Sequence, residues 1–421
     1  MGKSIDAAIL WRMYVARKTS GMAISPRVVA ARASAVRAIP SRASRRFAIS
    51  CALGFTTACV ADAAEWSAAP ILRWSVDQDS NRVLANDARA SQGGTMHLEA
   101  QLRHSTPNLQ LSMRPLVEFH RFTNDGASQF DDRSLSFSSA WRREHLRWIG
   151  SAQMAEESTL TSEPTDTGIV EGDTTRRTKS VASTLSFEHT ELRSTEFQAS
   201  IADVDYHGRF ADRLPGYRYP SLSLSERFIV SERTSLVMAA FASRLESPFY
   251  LGESREAGFS YAIDHAVSDR TLVHVSFGGS ARDAAAGRSN GYVGELEISH
   301  ETEQGQWRLF YHRKLAPSGL GFLVERNEAG LSLRHPISAL VTGSLNVLAV
   351  HNDNSSFGGT SERRRYETVE TGLDWRLRET TQLGFKLGAR RAQQREDSEL
   401  AAGWRASVVL TWTPRPQTLS R

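Results

Sequence analysis

From Gly403 to Thr413 the chain reads Gly-Trp-Arg-Ala-Ser-Val-Val-Leu-Thr-Trp-Thr. Successive side chains of an extended chain point to opposite faces. Trp404, Ala406, Val408, Leu410 and Trp412 therefore share one face, and Arg405, Ser407, Val409 and Thr411 the other. The same two-residue period returns back to about residue 71, and no helical apolar stripe of comparable length interrupts it. Reading strands from the alternation and breaks from turn residues gives eighteen segments. They are 71–76, 93–104, 108–121, 133–143, 145–156, 179–189, 193–206, 218–229 and 233–246, then 254–264, 270–281, 291–301, 304–314, 325–335, 338–351, 365–377, 380–393 and 401–413. Because 71–76 is short, sixteen strands is the alternative.

Connections alternate in length. Longer ones include Asp77–Gln92, Thr123–Asp132, Glu157–Thr178, His207–Tyr217, Arg282–Asn290, Asn352–Arg364 and Gln394–Leu400, and tight ones include Ser105–Asn108, Thr190–Leu192, Val230–Glu232 and Arg378–Glu379. Short periplasmic turns and longer extracellular loops are the asymmetry of outer-membrane barrels. The expected fold is thus all-β, a transmembrane antiparallel β-barrel of about 16–18 strands.

The faces carry different chemistry. Val369, Thr371, Leu373, Trp375 and Leu377 oppose Glu370, Gly372, Asp374, Arg376 and Arg378; Leu383, Phe385, Leu387 and Ala389 oppose Gly384, Lys386, Gly388 and Arg390. A charge facing lipid at mid-bilayer costs about 2–4 kcal/mol, so the charged face belongs to the lumen. The lumen-facing candidates are Arg114, Glu118, Arg334, Glu370, Asp374, Arg376, Lys386, Arg390 and Arg405. Their mixed signs read first as salt bridges that cross-link the wall and second as contacts for polyhydroxylated solutes. With the chain starting on the inner side, Trp141, Trp148, Trp307, Trp375 and Trp412, with Phe187 and Phe197, fall at the periplasmic end of their strands. Tyr206, Tyr219, Tyr292 and Tyr366 fall at the opposite end, and Trp404 near it. Two aromatic girdles are expected at the interfaces.

Composition alone suits a soluble protein: 421 residues, 40% hydrophobic, with a mean hydropathy of −0.37. No window approaches the roughly 20 apolar residues of a membrane helix, but barrel strands need only about 9–11 alternating ones. The net charge of +4 comes from the first 63 residues, which hold ten basic side chains against two acidic ones; the remainder carries −4. The sequence pI of about 9.2 thus gives no reason to expect nucleic acid as a partner. Both cysteines, Cys51 and Cys59, lie in this leader, and a thiol-free remainder suits assembly across an oxidising periplasm.

Arg42-Ala-Ser-Arg-Arg46, the apolar run Phe47–Val60 and the small-x-small Ala61-Asp62-Ala63 have the form of a signal peptide. Residues 1–63 are read as a leader with n-region at about 42–46 and h-region at 47–60, cleaved after Ala63. Lipoprotein processing at Cys59 is the alternative. Residues 64–413 are the barrel and 414–421 a short C-terminal tail.

Catalytic signatures are few. No His-x-x-x-His, Gly-x-Ser-x-Gly elbow or phosphate-cradling loop occurs, so no catalytic, cofactor or metal residues are assigned. His274 and Ser276 share a face, as do Glu118 and His120, but polar pairs of this kind are ordinary lumen residues. His351-Asn-Asp-Asn-Ser-Ser lacks the ligand spacing of a calcium loop and reads as a solvated outer loop.

The stretches Trp74-Ser-Val-Asp-Gln-Asp-Ser-Asn-Arg-Val-Leu84 and Thr106–Phe122 resemble the opening hairpins of outer-membrane β-barrels associated with exopolysaccharide/exosortase (PEP-CTERM) systems of Gram-negative bacteria. The resemblance implies polysaccharide export or envelope transport as context, and no catalytic residues. One departure is the C-terminus, where Trp412 is followed by nine residues instead of ending on an aromatic that the barrel assembly machinery reads.

The sequence therefore points to a monomeric or trimeric pore or accessory barrel, with outer-membrane lipid, the assembly machinery and polysaccharide as partners and no cofactor. The alternatives are a structural or adhesive barrel, and a barrel enzyme acting on lipid or polysaccharide. The longest break, Glu157–Thr178, reads either as a solvated outer loop or as a segment that folds inward and restricts the pore, with Glu163, Asp166, Glu171 and Asp173 near inward-facing Arg and Lys.

Overall fold

The computed structural model describes residues 65–84, 89–123, 129–166, 174–208, 211–248, 253–284, 287–319, 321–353, 363–393 and 399–420. The leader with its signal peptide lies outside the described residues.

Eighteen long strands follow the chain in order. The first nine are β1 (Glu65–Asp79), β2 (Ser91–Ser105), β3 (Leu109–Phe122), β4 (Gln129–Arg143), β5 (Leu146–Ser158), β6 (Thr174–Thr190), β7 (Arg193–Gly208), β8 (Tyr217–Ser231) and β9 (Thr234–Glu246). The second nine are β10 (Glu253–Ser268), β11 (Thr271–Ala284), β12 (Gly287–Thr302), β13 (Gly305–Pro317), β14 (Leu323–Pro336), β15 (Val341–Asp353), β16 (Arg363–Arg378), β17 (Thr381–Gln393) and β18 (Ala401–Trp412). Each pairs antiparallel with its neighbours in sequence, and β18 pairs with β1 from Leu72↔Trp412 to Asp79↔Arg405. The sheet is closed, and closure leaves no unpaired edge in hydrocarbon, where each lost backbone hydrogen bond would cost several kcal/mol.

Two features extend the expected strands. The first runs from Glu65 to Asp79, well beyond 71–76. The final segment adds a four-residue strand, β19 (Gln417–Ser420), which pairs with Glu65–Ala68 of β1 below the β18 seam. Arg282–Asn290, read as a longer loop, is instead mostly hairpin, because register continues through Arg282↔Ser289, Asp283↔Arg288 and Ala284↔Gly287. The strand pattern persisted there while the polar, Ala-rich composition looked like a loop.

Directly opposed residues in adjacent strands share a face, so one row fixes all others. The row Gly343↔Leu373↔Phe385↔Val408↔Val76 is continuous around the seam, and Leu373, Phe385, Val408 and Val76 are all exposed. This face also carries Leu135, Phe137, Leu222, Leu224, Phe259 and Phe277, likewise exposed. It is the outer, lipid-facing surface. On β16 the apolar run from Val369 to Leu377 rises about 26 Å along the strand, or about 20 Å along the normal at a tilt of about 40°, close to the roughly 25 Å apolar band of such barrels.

Above that band the outer face changes sign. Charged residues were expected only in the lumen, yet Arg133, Glu156 and Arg177, in register with one another, and Asp131, two residues beyond Arg133, lie on the outer face of the strand tops. Arg121 and Asp131 meet at 2.8 Å, Arg244 and Glu253 at 2.7 Å, and Arg313 and Glu325 at 2.6 Å. The strands thus extend above the hydrocarbon, where charge has water and partners.

Candidate functional site: the lumen and its outer mouth

The second face lines the barrel. The sequence-assigned lumen residues Arg114, Glu118, Arg334, Glu370, Asp374, Arg376, Lys386, Arg390 and Arg405 all occupy this face by register. Most join ion pairs along the wall. Lys386 reaches Glu370 at 3.3 Å, Arg390 reaches Asp79 at 2.5 Å, and Arg405 reaches Asp77 at 2.7 Å. Arg114 binds Glu99 at 2.6 Å, while Glu118 lies between His97 and His120. Arg376 turns to the periplasmic end, where it donates to the backbone carbonyl of Ala339 at 2.5 Å. Asp374 opposes Gly384 and Thr342, and Arg334 opposes Gln306 and Ser344.

The partners Asp77, Asp79, Glu99, His97 and Asp132 were not among the lumen assignments. Asp77 and Asp79 fall in the expected first loop, whereas the opening strand continues through both to Asp79. Glu99 has the right parity on β2, and counting from Leu98 would have found it.

Several outer connections fold into the mouth. After β5 the chain forms helix α1 (Thr159–Asp166). Ser158 caps it, its hydroxyl accepting the Leu160 N–H at 3.3 Å. Asp132 of β4 holds the same start, accepting the Ser158 N–H at 2.7 Å and the Thr161 hydroxyl at 3.0 Å. Glu163 is wholly buried. It accepts the Tyr206 hydroxyl at 3.0 Å and lies 3.5 Å from the Arg176 guanidinium, so this carboxylate ties α1 to the inner wall of β6 and β7. Of the other acidic residues expected in this loop, Glu171 and Asp173 lie outside the described residues, as does the side chain of Asp166.

A second group is apolar. Val204, Tyr206, Leu214, Tyr217, Leu245 and Leu323 form one buried cluster, which joins the inner faces of β7, β8 and β9 to the β7–β8 connection and to the first residue of β14. On the seam side Leu84 packs with Ala392, Ala401 and Tyr366. The guanidinium of Arg82 in the same connection lies 3.5 Å from the Phe122 ring centroid, a cation–π geometry.

Aromatic placement divides by residue type. Trp141 and Trp148 face each other across β4 and β5 on the outer surface; Trp307, Trp375 and Trp412 share that surface, as do Phe187 and Phe197. Trp148 donates its indole N–H to the Ser183 hydroxyl at 3.0 Å. The outer tyrosine girdle needs correction. Tyr292 alone of the four faces outward; Tyr206, Tyr219 and Tyr366 face inward. By strand parity Tyr206, Tyr219 and Tyr366 belong to the inner face, and Tyr206 has its hydroxyl partner, Glu163, inside.

His274 and Ser276 face the lumen, not lipid, and His274 Nδ1 lies 2.5 Å from Asp264 Oδ1. A recess of about 420 Å³ on this side of the wall is lined by Tyr219, Phe241, Ser276, Glu295 and His312 among others. Of the stretch 351–356, expected as a solvated outer loop, His351–Asp353 end β15 and the remainder lies outside the described residues.

A closed barrel with an outward apolar band, an indole row at the end of short turns and a polar wall inside is an outer-membrane β-barrel. No family model matches the chain, and no curated protein matches it. Solved structures do. The outer membrane protein OpdK of Pseudomonas aeruginosa is similar at 10% identity over 84% of this chain and 99% of its own, with a TM-score of 0.46. Acinetobacter baumannii OccAB3 is similar at 8% identity over 84% and 99%, with a TM-score of 0.46. Pseudomonas aeruginosa OccK2 (OpdF), in complex with glucuronate, is similar at 11% identity over 83% and 97%, with a TM-score of 0.47. The exopolysaccharide association finds no support among these proteins.

Proposed function

We propose that the barrel is a diffusion channel for small polar solutes across the outer membrane. One observation carries the reading: a charged inner wall runs beneath a mouth into which α1 folds, held by Glu163 on Tyr206 and Arg176. An eighteen-stranded barrel is wide enough for an aqueous passage, and inward loops narrow it to the scale of single small solutes. Paired Arg and carboxylate groups along the wall offer donors and acceptors to a hydrated solute without a net field that rejects either sign.

Polysaccharide export is the finer alternative, and its support is the resemblance in the first two hairpins. Asp77 and Asp79, the acidic residues of that stretch, are engaged in the barrel wall with Arg405 and Arg390, so a structural role accounts for them. The deciding experiment reconstitutes the protein in planar bilayers and in liposomes loaded for swelling with sugars of increasing size. Stepwise conductance with entry of mono- and disaccharides but not longer chains supports the proposal. Passage of long oligosaccharides would favour export, and absence of conductance would favour a structural or adhesive barrel.

A further inference from the structure

Glu118 and His120 alternate along the inner face of β3, and Asp132 stands on β4 in register with Glu118. One ligand atom from each lies within 4.8 Å of the others. His120 is more than nine-tenths buried, and its Nε2 makes no hydrogen bond. That nitrogen points between two carboxylate oxygens, 3.5 Å from Glu118 Oε2 and 3.4 Å from Asp132 Oδ2. These separations are long for hydrogen bonds. They match the edge of a tetrahedron whose corners lie about 2.1 Å from its centre, which is about 3.4 Å and corresponds to Zn²⁺ with nitrogen and oxygen ligands.

We propose that Glu118, His120 and Asp132 bind a divalent transition-metal ion of the Zn²⁺ type in the outer third of the lumen. The surrounding groups suit the role. The other ring nitrogen of His120, Nδ1, is 3.2 Å from the Thr95 hydroxyl; donation from Nδ1 to Thr95 leaves the Nε2 lone pair free for the ion. Metal-bound histidines are commonly oriented in this way. The second oxygen of Glu118 is held by His97 Nδ1 at 2.5 Å, and Asp132 is fixed by Ser158 and Thr161.

Charge points the same way. Glu99 nearby is matched by Arg114, whereas the hydrogen bonds to Asp132 come from a backbone N–H and a hydroxyl, neither of them cationic. A dication balances Glu118 and Asp132 together. Three protein ligands leave one position for water or a passing solute. Because Asp132 also holds the start of α1, the ion would brace the inward loop. Sequence spacing concealed the site, since Glu118 and His120 are two apart and the third ligand comes from the next strand.

The test uses the full barrel refolded in detergent, stripped with chelator and titrated with ZnCl₂ by calorimetry and with Co²⁺ by visible spectroscopy. The expected result is one Zn²⁺ per chain and tetrahedral Co²⁺ bands. His120→Gln and Asp132→Asn should each weaken binding more than tenfold, and Thr95→Val by about tenfold through the lost orienting contact. His104→Gln, on the outer face, should change nothing. Heat-modified gel mobility identifies variants that fold, and Thr95→Val serves if the ligand variants do not. Failure of the folded wild type to retain one Zn²⁺ would overturn the proposal. So would equal binding by wild type and all folded variants, and the three groups would then be a histidine–carboxylate bridge only.

Discussion

Asp77 of the first long strand and Arg405 of the last, 328 positions apart in sequence, meet at 2.7 Å on the inner wall where the barrel closes. Asp77 is almost wholly buried and also accepts the hydroxyls of Ser407 at 2.6 Å and Ser75 at 2.7 Å. Closure thus depends on a polar cluster as well as on backbone pairing between β1 and β18. One turn of alternation further out, Asp79 repeats the arrangement with Arg390 of β17.

Replacing Asp77 with Ala removes the acceptor from three donors at once. A lost buried acceptor costs about 1–3 kcal/mol, and the half-exposed Arg405 keeps the effect toward the lower end because water can reach it. The urea midpoint of the refolded barrel should fall while the barrel still assembles. Tryptophan fluorescence in lipid vesicles checks it, and an unchanged midpoint would show that the seam is held by its backbone alone.

Leu373 and Asp374 are neighbours on β16 with opposite fates. Leu373 opposes Phe385 on the lipid face, and Asp374 opposes Gly384 on the inner wall. Leu373→Arg should lower folding yield, with a cost of about 2–4 kcal/mol near mid-bilayer. Asp374→Arg should fold, because its new charge faces water. Equal yields in lipid would show that the two faces are exchanged.

Facing was legible because seventeen of the expected segments alternate over ten or more residues, and a one-residue slip would put charge into lipid; the short 71–76 left the strand number between sixteen and eighteen. Thus Leu373 and Asp374 could be told apart without coordinates. The mouth was legible only in part. Glu157–Thr178 stood out as a break, and Glu163 as a carboxylate, but the first residues still belong to β5 and the last to β6. The partners of Glu163, Arg176 and Tyr206, come from β6 and β7 respectively, and no local pattern links them to it. Leu214, which packs with Leu245 and Leu323, was hidden for the same reason: a loop side chain that packs inside a barrel carries no periodicity.

At the periplasmic girdle Gly150 makes room for Trp148. A Cβ at position 150 would lie 2.6 Å from Trp148 Cζ2, so any larger residue must displace the ring and its hydrogen bond to Ser183. Gly150→Val should destabilise the barrel by about 1–3 kcal/mol, the usual cost of overpacking. Loss of the Ser183 bond should also move Trp148 emission, which is read against Trp148→Phe. Wild-type stability and emission in Gly150→Val would mean that the ring does not rest there.

The latch of α1 gives the prediction nearest to function. Glu163→Gln keeps the volume of a wholly buried side chain but removes the charge that faces Arg176, and Tyr206→Phe removes the hydroxyl that faces Glu163. Hydrogen bonds to a charged group contribute about 1.5–3 kcal/mol, enough to move a helix of two turns between held and released states. Both variants should therefore raise mean single-channel conductance or its fluctuation, and removing residues 160–173 should raise the mean further. The barrel itself should be little affected, since backbone pairing of β5 with β6 is independent of the latch. If the variants lose stability without any change in conductance, α1 is a brace on the wall and not a constriction. If conductance rises only on excision, the helix narrows the passage but Glu163 is not what holds it there.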